Sequence, residues 1–516
     1  MALAQELATL STPLMRVSSN VLPPTERTPS FVIDAANRSY KHQYASIYFL
    51  RLRLLREFVE TEAHRKWDQV SGSPNLVPRV LEVTKGQLCF VVGTVYMDMP
   101  LKPNVLEDIG RDQSIPAPPP LEKICSPDDS IMLEDESGRI RLVGDRVQNA
   151  LLVTGVIAGA LGVETNNGDF EVVDLCFAGM APQEDEDEVV DGMDIGEDQP
   201  EPSGEPEDYA AFVSGLDVGS LVPVDAHIQM LVEYLSGEEG DTEDQSFSSH
   251  ITRLVVLGNS LAPIGTSGTG EEEEEGRDKK ARKYGHDNTS FSPHPILSLS
   301  GHLLDIAHSM PVHLLAGASD PSGTIMPQQP LPRAMFGEVS NYASFTCETN
   351  PTYLRLGQGS LEDSDTEAEI NGVSSSKTSR TSIRRKPCTI LASSGQPIND
   401  MFKYLPTPPA TRLNLAESTL RWRHMAPTAP DTLWCHPFFT MDPFVLSQTP
   451  DIYVSGCQPR FATRLVRDGV RRCRIVLVPS FSETGVLVLI GLKSLNVRTV
   501  KFAVRGMSEV VNGADH

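Results

Sequence analysis

The residues that could do chemistry in this 516-residue chain sit where apolar runs end in glycine or serine. Four endings stand out. They are VSGLDVGS with Gly215 and Asp217, VVLGNSL with Asn259, LLAGASDP with Gly317, Ala318, Ser319 and Asp320, and YVSGCQPRF with Gly456, Cys457, Gln458 and Pro459. Loops at the carboxyl ends of buried strands are where α/β proteins place binding and catalytic groups. One chemistry that loops in this position can serve is two-cation phosphoester hydrolysis, which needs carboxylates and imidazoles to hold two metal ions that activate water and clamp the phosphate. Here Asp217 and Asp320 are the acids, and histidine is missing from all four endings. A donor set this poor should not hold a metal pair tightly.

The other chemistry-bearing residues fit plainer roles. His227, His302, His308 and His313 lie near these loops in the chain, so a rearranged metal site is a competing reading. None has a ligand partner at motif spacing, and they read as ordinary partly buried histidines. Asp217 and Asp320 read as acceptors of backbone N–H groups within their own turns. The eight cysteines include no C-x2-C pair, so structural zinc is not expected, and their scatter fits a reducing compartment. GTSGTGE at 265–271 lacks the G-K-S/T ending of a phosphate loop. No metal or cofactor is therefore assigned.

The elements that would position these loops follow from the hydrophobic pattern. Residues 41–66 carry apolar side chains at spacings of three and four, which predicts a helix with its Arg and Lys in solvent. Runs at 88–96, 130–133, 140–143, 151–157 and 170–177 read as short strands, with Ser137-Gly138 turning a hairpin between the second and third. About five strands in one block predict a small barrel, with an OB-fold the natural candidate, although a sandwich gives a similar pattern. Residues 183–208 are dominated by Asp, Glu, Pro and Gly and predict a disordered acidic linker. Beyond it, continuous apolar runs at 211–216, 252–258, 311–317, 388–395, 452–456 and 474–480 predict strands buried on both faces. Helical stretches at 224–236 and 297–309 make this an α/β domain. The domain layout expected is a disordered tail over 1–40, a helix and barrel over 41–182, the linker, and an α/β domain over 209–516. Disordered insertions are expected at about 264–292 and 357–386.

The net charge is -25. A protein that tracks duplex DNA unaided normally carries a basic face, so contact with DNA is expected to be indirect or weak. The barrel strands offer Phe90, Tyr96, Phe170 and Phe177 with few basic neighbours, which favours protein docking over base stacking. The N-terminus has Glu6 and no basic segment before an apolar run, so no secretory signal is expected, and the apolar run at 151–163 is too short to span a bilayer. KKARK (279–283) and RRK (384–386) could act as nuclear-import signals. The acidic Ser-rich run at 359–370 could be phosphorylated or serve as spacer.

Taken in order, the four endings resemble the metal-binding loops of calcineurin-like phosphoesterases, which read D-x-H, G-D, G-N-H-D/E and G-H-x-H. Gly215 and Asp217 stand at the first pair, Asn259 at the second acid, Ala318, Ser319 and Asp320 at N-H-D, and Cys457 and Pro459 at the last two histidines. This loss of ligands resembles the B-subunit family of eukaryotic replicative DNA polymerases. Blocks such as VVGTVYMDMPLKPNVLEDI (91–109), FVSGLDVG (212–219), LLAGASDPSGTIMPQQPLP (314–332) and DPFVLSQTPDIYVSGCQP (442–459) carry the resemblance, and the MPLKP and LPQQPLP-like stretches favour its delta branch over the alpha and epsilon branches. The resemblance implies an OB-fold joined to an inactive calcineurin-like domain, a β-sandwich flanked by helices. It also implies a nuclear, non-catalytic scaffold that holds the catalytic subunit of DNA polymerase delta and a third, clamp-linking subunit. The alternatives are an active metal-dependent phosphodiesterase or nuclease, or a B-subunit of polymerase alpha or epsilon.

Overall fold

The structure, a computed structural model, describes residues 15–34, 38, 41, 44–70, 74–103, 121–184, 207–220, 224–238, 242–263, 293–358 and 386–503. Most of the predicted acidic linker, the insertion expected at 264–292 and all but the ends of the one at 357–386 lie outside these residues. So do KKARK, GTSGTGE, the run at 359–370, and Arg384 and Arg385.

The expectation of a wholly loose tail over 1–40 is corrected. Strand β1 (Ser19–Leu22) pairs antiparallel with a strand of the second domain, and Phe31 is buried in the core. Arg16 fastens the segment through 2.7 and 2.6 Å bonds to the Ser248 and Ile251 carbonyls. One strand pairing, one guanidinium and one buried ring order a stretch whose Ser, Thr and Pro content reads as unfolded. Helix α1 (Ser46–Trp67) follows, close to the predicted helix.

The barrel consists of β2 (Asn75–Val77), β3 (Leu88–Asp98), β4 (Ser130–Glu134), β5 (Arg139–Val143), the short α2 (Asp145–Gln148), β6 (Ile157–Glu164) and β7 (Phe170–Cys176). Strand order is β2-β3-β4-β5-β7-β6, and a β3–β6 pairing closes it. β3 is apolar on both faces for a reason. Val91 and Val95 point into the barrel core, while Phe90 and Val92 pack under Leu55, Val59 and Trp67 of α1. The β4–β5 hairpin turns as predicted, with Asp135 accepting from the Ser137 and Gly138 N–H groups at 2.7 and 3.1 Å.

The strand expected at 151–157 is a second correction, since β6 begins only at Ile157. Residues 151–156 form a buried connector instead. Gly155 sits at φ +90, and a Cβ there would lie 1.9 Å from the Pro427 carbonyl oxygen. The apolar content of this run serves burial between two domains rather than strand pairing.

The second domain comprises β8 (Tyr209–Val213), α3 (Asp225–Ser236), α4 (Thr242–Ser249), β9 (Ile251–Leu257), α5 (His294–Ser309), β10 (Val312–Leu315), β11 (Phe345–Glu348), β12 (Thr352–Gln358), β13 (Cys388–Ser393), α6 (Gln396–Lys403), α7 (Arg412–Trp422), β14 (Ile452–Gln458), β15 (Ala462–Asp468), β16 (Arg471–Pro479), α8 (Phe481–Thr484), β17 (Val486–Gly491) and β18 (Val497–Lys501). Two mixed sheets form among the described residues, ordered β11-β10-β9-β8-β17-β18 and β1-β12-β13-β14-β16-β15. They pack face to face through Phe212, Val255, Leu257, Ile390, Ile452, Val454 and Val476. α3 and α5 cover the outer face of the first sheet. The outer face of the second shares one core with α6, α7 and the barrel. Each predicted run thus finds two buried faces, which explains why it lacks polar alternation.

Arg51 of α1 holds the two domains together. The helix was expected to keep its basic residues in solvent, but Arg51 is fully buried. Its Nε donates to Asp442 Oδ2 at 2.8 Å, Nη1 to the Pro427 and Gly155 carbonyls at 2.7 and 3.2 Å, and Nη2 to the Ala429 carbonyl at 2.8 Å. His424 Nε2 lies 2.9 Å from the same Asp442 oxygen. Burial works against the Asp442 charge, but Arg51 and His424 outweigh it and hold the carboxyl well below its usual range. Burial, then Arg51, push His424 down to about 4, so at neutral pH it is an uncharged donor. No helix among the described residues is long and apolar enough to cross a membrane.

Candidate functional site at the strand ends

The sheets bring the four singled-out endings together. β8, β9, β10 and β14 release their chains at the same end of the sandwich, where buried apolar strands must finally turn. Gly215 N donates to the Gly258 carbonyl at 2.9 Å, Asp217 N to the Asn259 carbonyl at 3.1 Å, and Cys457 N to Ser214 Oγ at 2.9 Å. A Cβ on Gly317 would lie 2.2 Å from the Asn259 backbone nitrogen, so only glycine lets the two loops approach this closely.

Both surviving acids, with Asn259 and Ser319, bond to neighbouring residues. Asp320, almost fully buried, accepts from Ser260 N and Leu261 N at 2.9 Å each and from Gly317 N at 2.7 Å. This is the backbone-acceptor role predicted for it, though its donors come from two loops rather than one turn. Burial raises its carboxyl above the usual value, and the backbone donors pull the other way. Asp217 takes a different partner set from the one expected. Its Oδ2 receives Ser482 Oγ at 2.7 Å and Ser480 Oγ at 3.3 Å. Asn259 Oδ1 accepts from Ser319 N at 3.2 Å, and Ser319 Oγ donates to the Leu261 carbonyl at 2.7 Å. Cys457 lies within 3.6 and 3.7 Å of the Leu257 and Gly258 carbonyls, and burial pushes its thiol up to about 12. Ala318 and Pro459 are exposed and have no ligating atoms in their side chains.

The motifs did not indicate four further residues that complete this end. Asn350 donates through Nδ2 to Gln328 Oε1 at 2.7 Å, Ser394 Oγ at 2.5 Å and Gln396 Oε1 at 2.9 Å. Gln328 Nε2 returns to the Gly317 carbonyl at 3.1 Å. This buried amide network locks the β10 and β13 loops. Buried polar groups must be satisfied, but sequence does not reveal which amides will meet.

The four histidines lie elsewhere. His227 is on α3, and His302 and His308 are on α5. His313, at the start of β10, bridges Arg253 at 2.7 Å and Glu348 at 2.9 Å. Among the described residues no three His, Cys, Asp or Glu side chains converge as a metal site would need.

Residues 43–175 match the family of the DNA polymerase delta subunit OB-fold domain, and residues 210–361 and 378–463 match the B-subunit family of DNA polymerases alpha and epsilon. The barrel is thus an OB-fold, and barrel and α/β body together define a B-type polymerase subunit. Among whole-length relatives, the chain is 33% identical to the DNA polymerase delta small subunit of Arabidopsis thaliana over 464 residues, 90% of this chain and 92% of that one. It is 32% identical to the Saccharomyces cerevisiae small subunit over 504 residues, covering 92% of each chain. Identity to the Drosophila melanogaster DNA polymerase delta subunit 2 is 28%, over 92% of this chain and 96% of that one. The chain belongs to the DNA polymerase delta small subunit family.

Proposed function

We propose that this protein is a non-catalytic accessory subunit of the nuclear DNA polymerase delta holoenzyme. In this reading it joins the C-terminal domain of the catalytic subunit to a third, clamp-linking subunit during replication and repair synthesis. Its second domain, spanning about 209–516 together with β1, is a calcineurin-like phosphoesterase fold that has lost its metals. The observation that carries the reading is the state of the strand-end loops. Gly215, Asp217, Asn259, Ala318, Ser319, Asp320, Cys457 and Pro459 occupy the ligand positions with groups that either bond residues of the surrounding loops or cannot ligate. Family membership favours the delta complex over those of polymerases alpha and epsilon.

The surface supports life in an assembly. Phe49, Phe58, Trp434, Phe439 and Met441 are each between 44% and 57% exposed. A groove of about 940 Å³ runs past Phe49, Arg53, Glu60 and Phe439. Contiguous exposed apolar area marks interaction surfaces, and Phe49 and Phe439 both line this groove. The test is affinity purification from nuclear extract beside a manganese-dependent phosphodiesterase assay of the pure chain. The delta catalytic chain should co-purify, and no turnover should exceed background. Turnover abolished by Asp320→Asn, or recovery of the alpha or epsilon catalytic chain instead, overturns the proposal.

A further inference from the structure

Arginines gather on one hairpin of this acidic chain. Residues 460–474, RFATRLVRDGVRRCR, hold six arginines against one acid, Asp468. They build the β15–β16 hairpin, and β15 is the outermost strand of its sheet among the described residues. Three of the six are used inside the molecule. Arg464 donates to Glu417 at 2.6 Å, Arg471 to the Met180 carbonyl at 2.7 Å and Arg474 to the Leu495 carbonyl at 2.7 Å. The other three, Arg460, Arg467 and Arg472, are exposed and have no ion pair among the described residues.

Two details set this edge apart from an ordinary solvated strand. Arg467 and Arg472 face each other directly across the antiparallel pair. Like charges in that register destabilise a sheet by up to about 1 kcal/mol unless an anion lies between them. Phe461, 37% exposed, stands beside Arg460 at the entrance to the strand. Charge on an edge strand also discourages strand addition, but that role requires neither opposed arginines nor an exposed ring. In the barrel Phe90 and Phe170 are fully buried, and the half-buried Tyr96 is already covered by Arg139 and Lys102, at 5.6 and 4.8 Å from its ring centre.

We propose that the outer edge of the β15–β16 hairpin is a contact surface for single-stranded nucleic acid. Arg460, Arg467 and Arg472 pair with backbone phosphates, for which the planar guanidinium is suited, and Phe461 offers a face on which a base stacks. From 460 to 467 an extended chain covers about 24 Å, long enough to meet several nucleotides. An acidic peptide would satisfy the charges but leave Phe461 without a role. The surface lies on a different element from the strand-end loops and does not depend on their being inactive.

The test is fluorescence anisotropy of the full-length chain with a labelled oligothymidylate of about 30 nucleotides, over roughly 50 to 200 mM salt. The triple variant Arg460→Gln, Arg467→Gln, Arg472→Gln should lose about tenfold or more in affinity and flatten the log–log salt slope by about 2, one counterion term per phosphate contact. Its thermal midpoint should hold or rise, which a structural role would not allow. Phe461→Ala should weaken oligonucleotide binding about fivefold or more and leave binding of inorganic polyphosphate unchanged. A variant removing the same charge elsewhere, Arg79→Gln, Lys85→Gln, Arg146→Gln, should keep the wild-type slope. The proposal is overturned if the wild-type chain fails to bind or if the triple variant binds as well as the wild type. Equal binding of a polyglutamate peptide, insensitive to Phe461→Ala, also overturns it, because the edge then serves an acidic protein.

Discussion

Replacing Arg51 with alanine should uncouple the two domains. The guanidinium is the donor for Asp442 and for the carbonyls of Gly155, Pro427 and Ala429, all in one buried place. Both side chains of the ion pair are 0% exposed. Removal leaves a carboxylate in a dry interior with His424 and the Phe444 N–H as its remaining donors. Losing one partner of a buried pair costs about 3–5 kcal/mol. The three orphaned carbonyls add to this, although terms sharing one network do not sum. An expected loss of about 4 kcal/mol is a large part of the 5–15 kcal/mol that typically holds a domain folded. Urea unfolding followed by tryptophan fluorescence reads it well, because Trp67 reports α1 and Trp422 reports α7, on opposite sides of the contact. Limited proteolysis should also cut the variant between the domains. The double variant Arg51→Met, Asp442→Leu should regain at least half the loss, because no charge then remains to be desolvated. A single-variant loss below about 1 kcal/mol, with protease protection intact, refutes the assignment of Arg51 as the interdomain lock.

Three further outcomes follow from the same geometry. His424 is held neutral down to about 4 in the folded chain, against 6.5 for the free group. Between those values the unfolded state binds the extra proton, so stability falls as pH drops through that window, by on the order of 3 kcal/mol. Denaturation midpoints measured from pH 7 to 4 should flatten in His424→Gln, and an unchanged slope refutes the linkage. Asp320→Asn keeps one oxygen for the Ser260 and Leu261 N–H groups but sets an amide NH2 against the Gly317 N–H. A loss of about 2–3 kcal/mol in chemical denaturation is expected. Gly155→Ala forces a methyl onto the Pro427 carbonyl at a φ of +90, and should cost about 2 kcal/mol or more or prevent soluble expression. A wild-type melting curve for that variant would show that the connector has room to shift.

Much of the fold is legible in the sequence because burial on two faces leaves a clear mark. The runs at 252–258, 388–395 and 474–480 lie within a residue or two of β9, β13 and the end of β16, since strands between a sheet and a helix layer carry little polar alternation. The hairpin at Ser137-Gly138 is legible because turn chemistry is local. The run at 151–157 misleads because the same apolar signature arises when a connector is buried against a second domain. Residues 15–34 mislead because their ordering comes from partners far along the chain: Ser19 pairs with Gln358, and Arg16 reaches Ile251.

The candidate site divides in the same way. Residue identity alone shows that the four strand-end loops carry few metal-binding donors of their own, whereas the fold decided that His227, His302, His308 and His313 lie on other parts of the domain. Family-like blocks along the chain pointed to the polymerase subunit family on residue identity too. Only the tertiary structure decided what the remaining groups do. It set Asp320 on three backbone donors from two loops, turned Asp217 toward Ser480 and Ser482, and joined Asn350, Gln328, Ser394 and Gln396 into one network. It also buried Arg51, which helical periodicity had placed in solvent. Local propensity and donor chemistry are properties of single residues and short windows. Hydrogen-bond partners and burial depend on which distant segments meet, and that is decided when the sheets and the barrel close on one another.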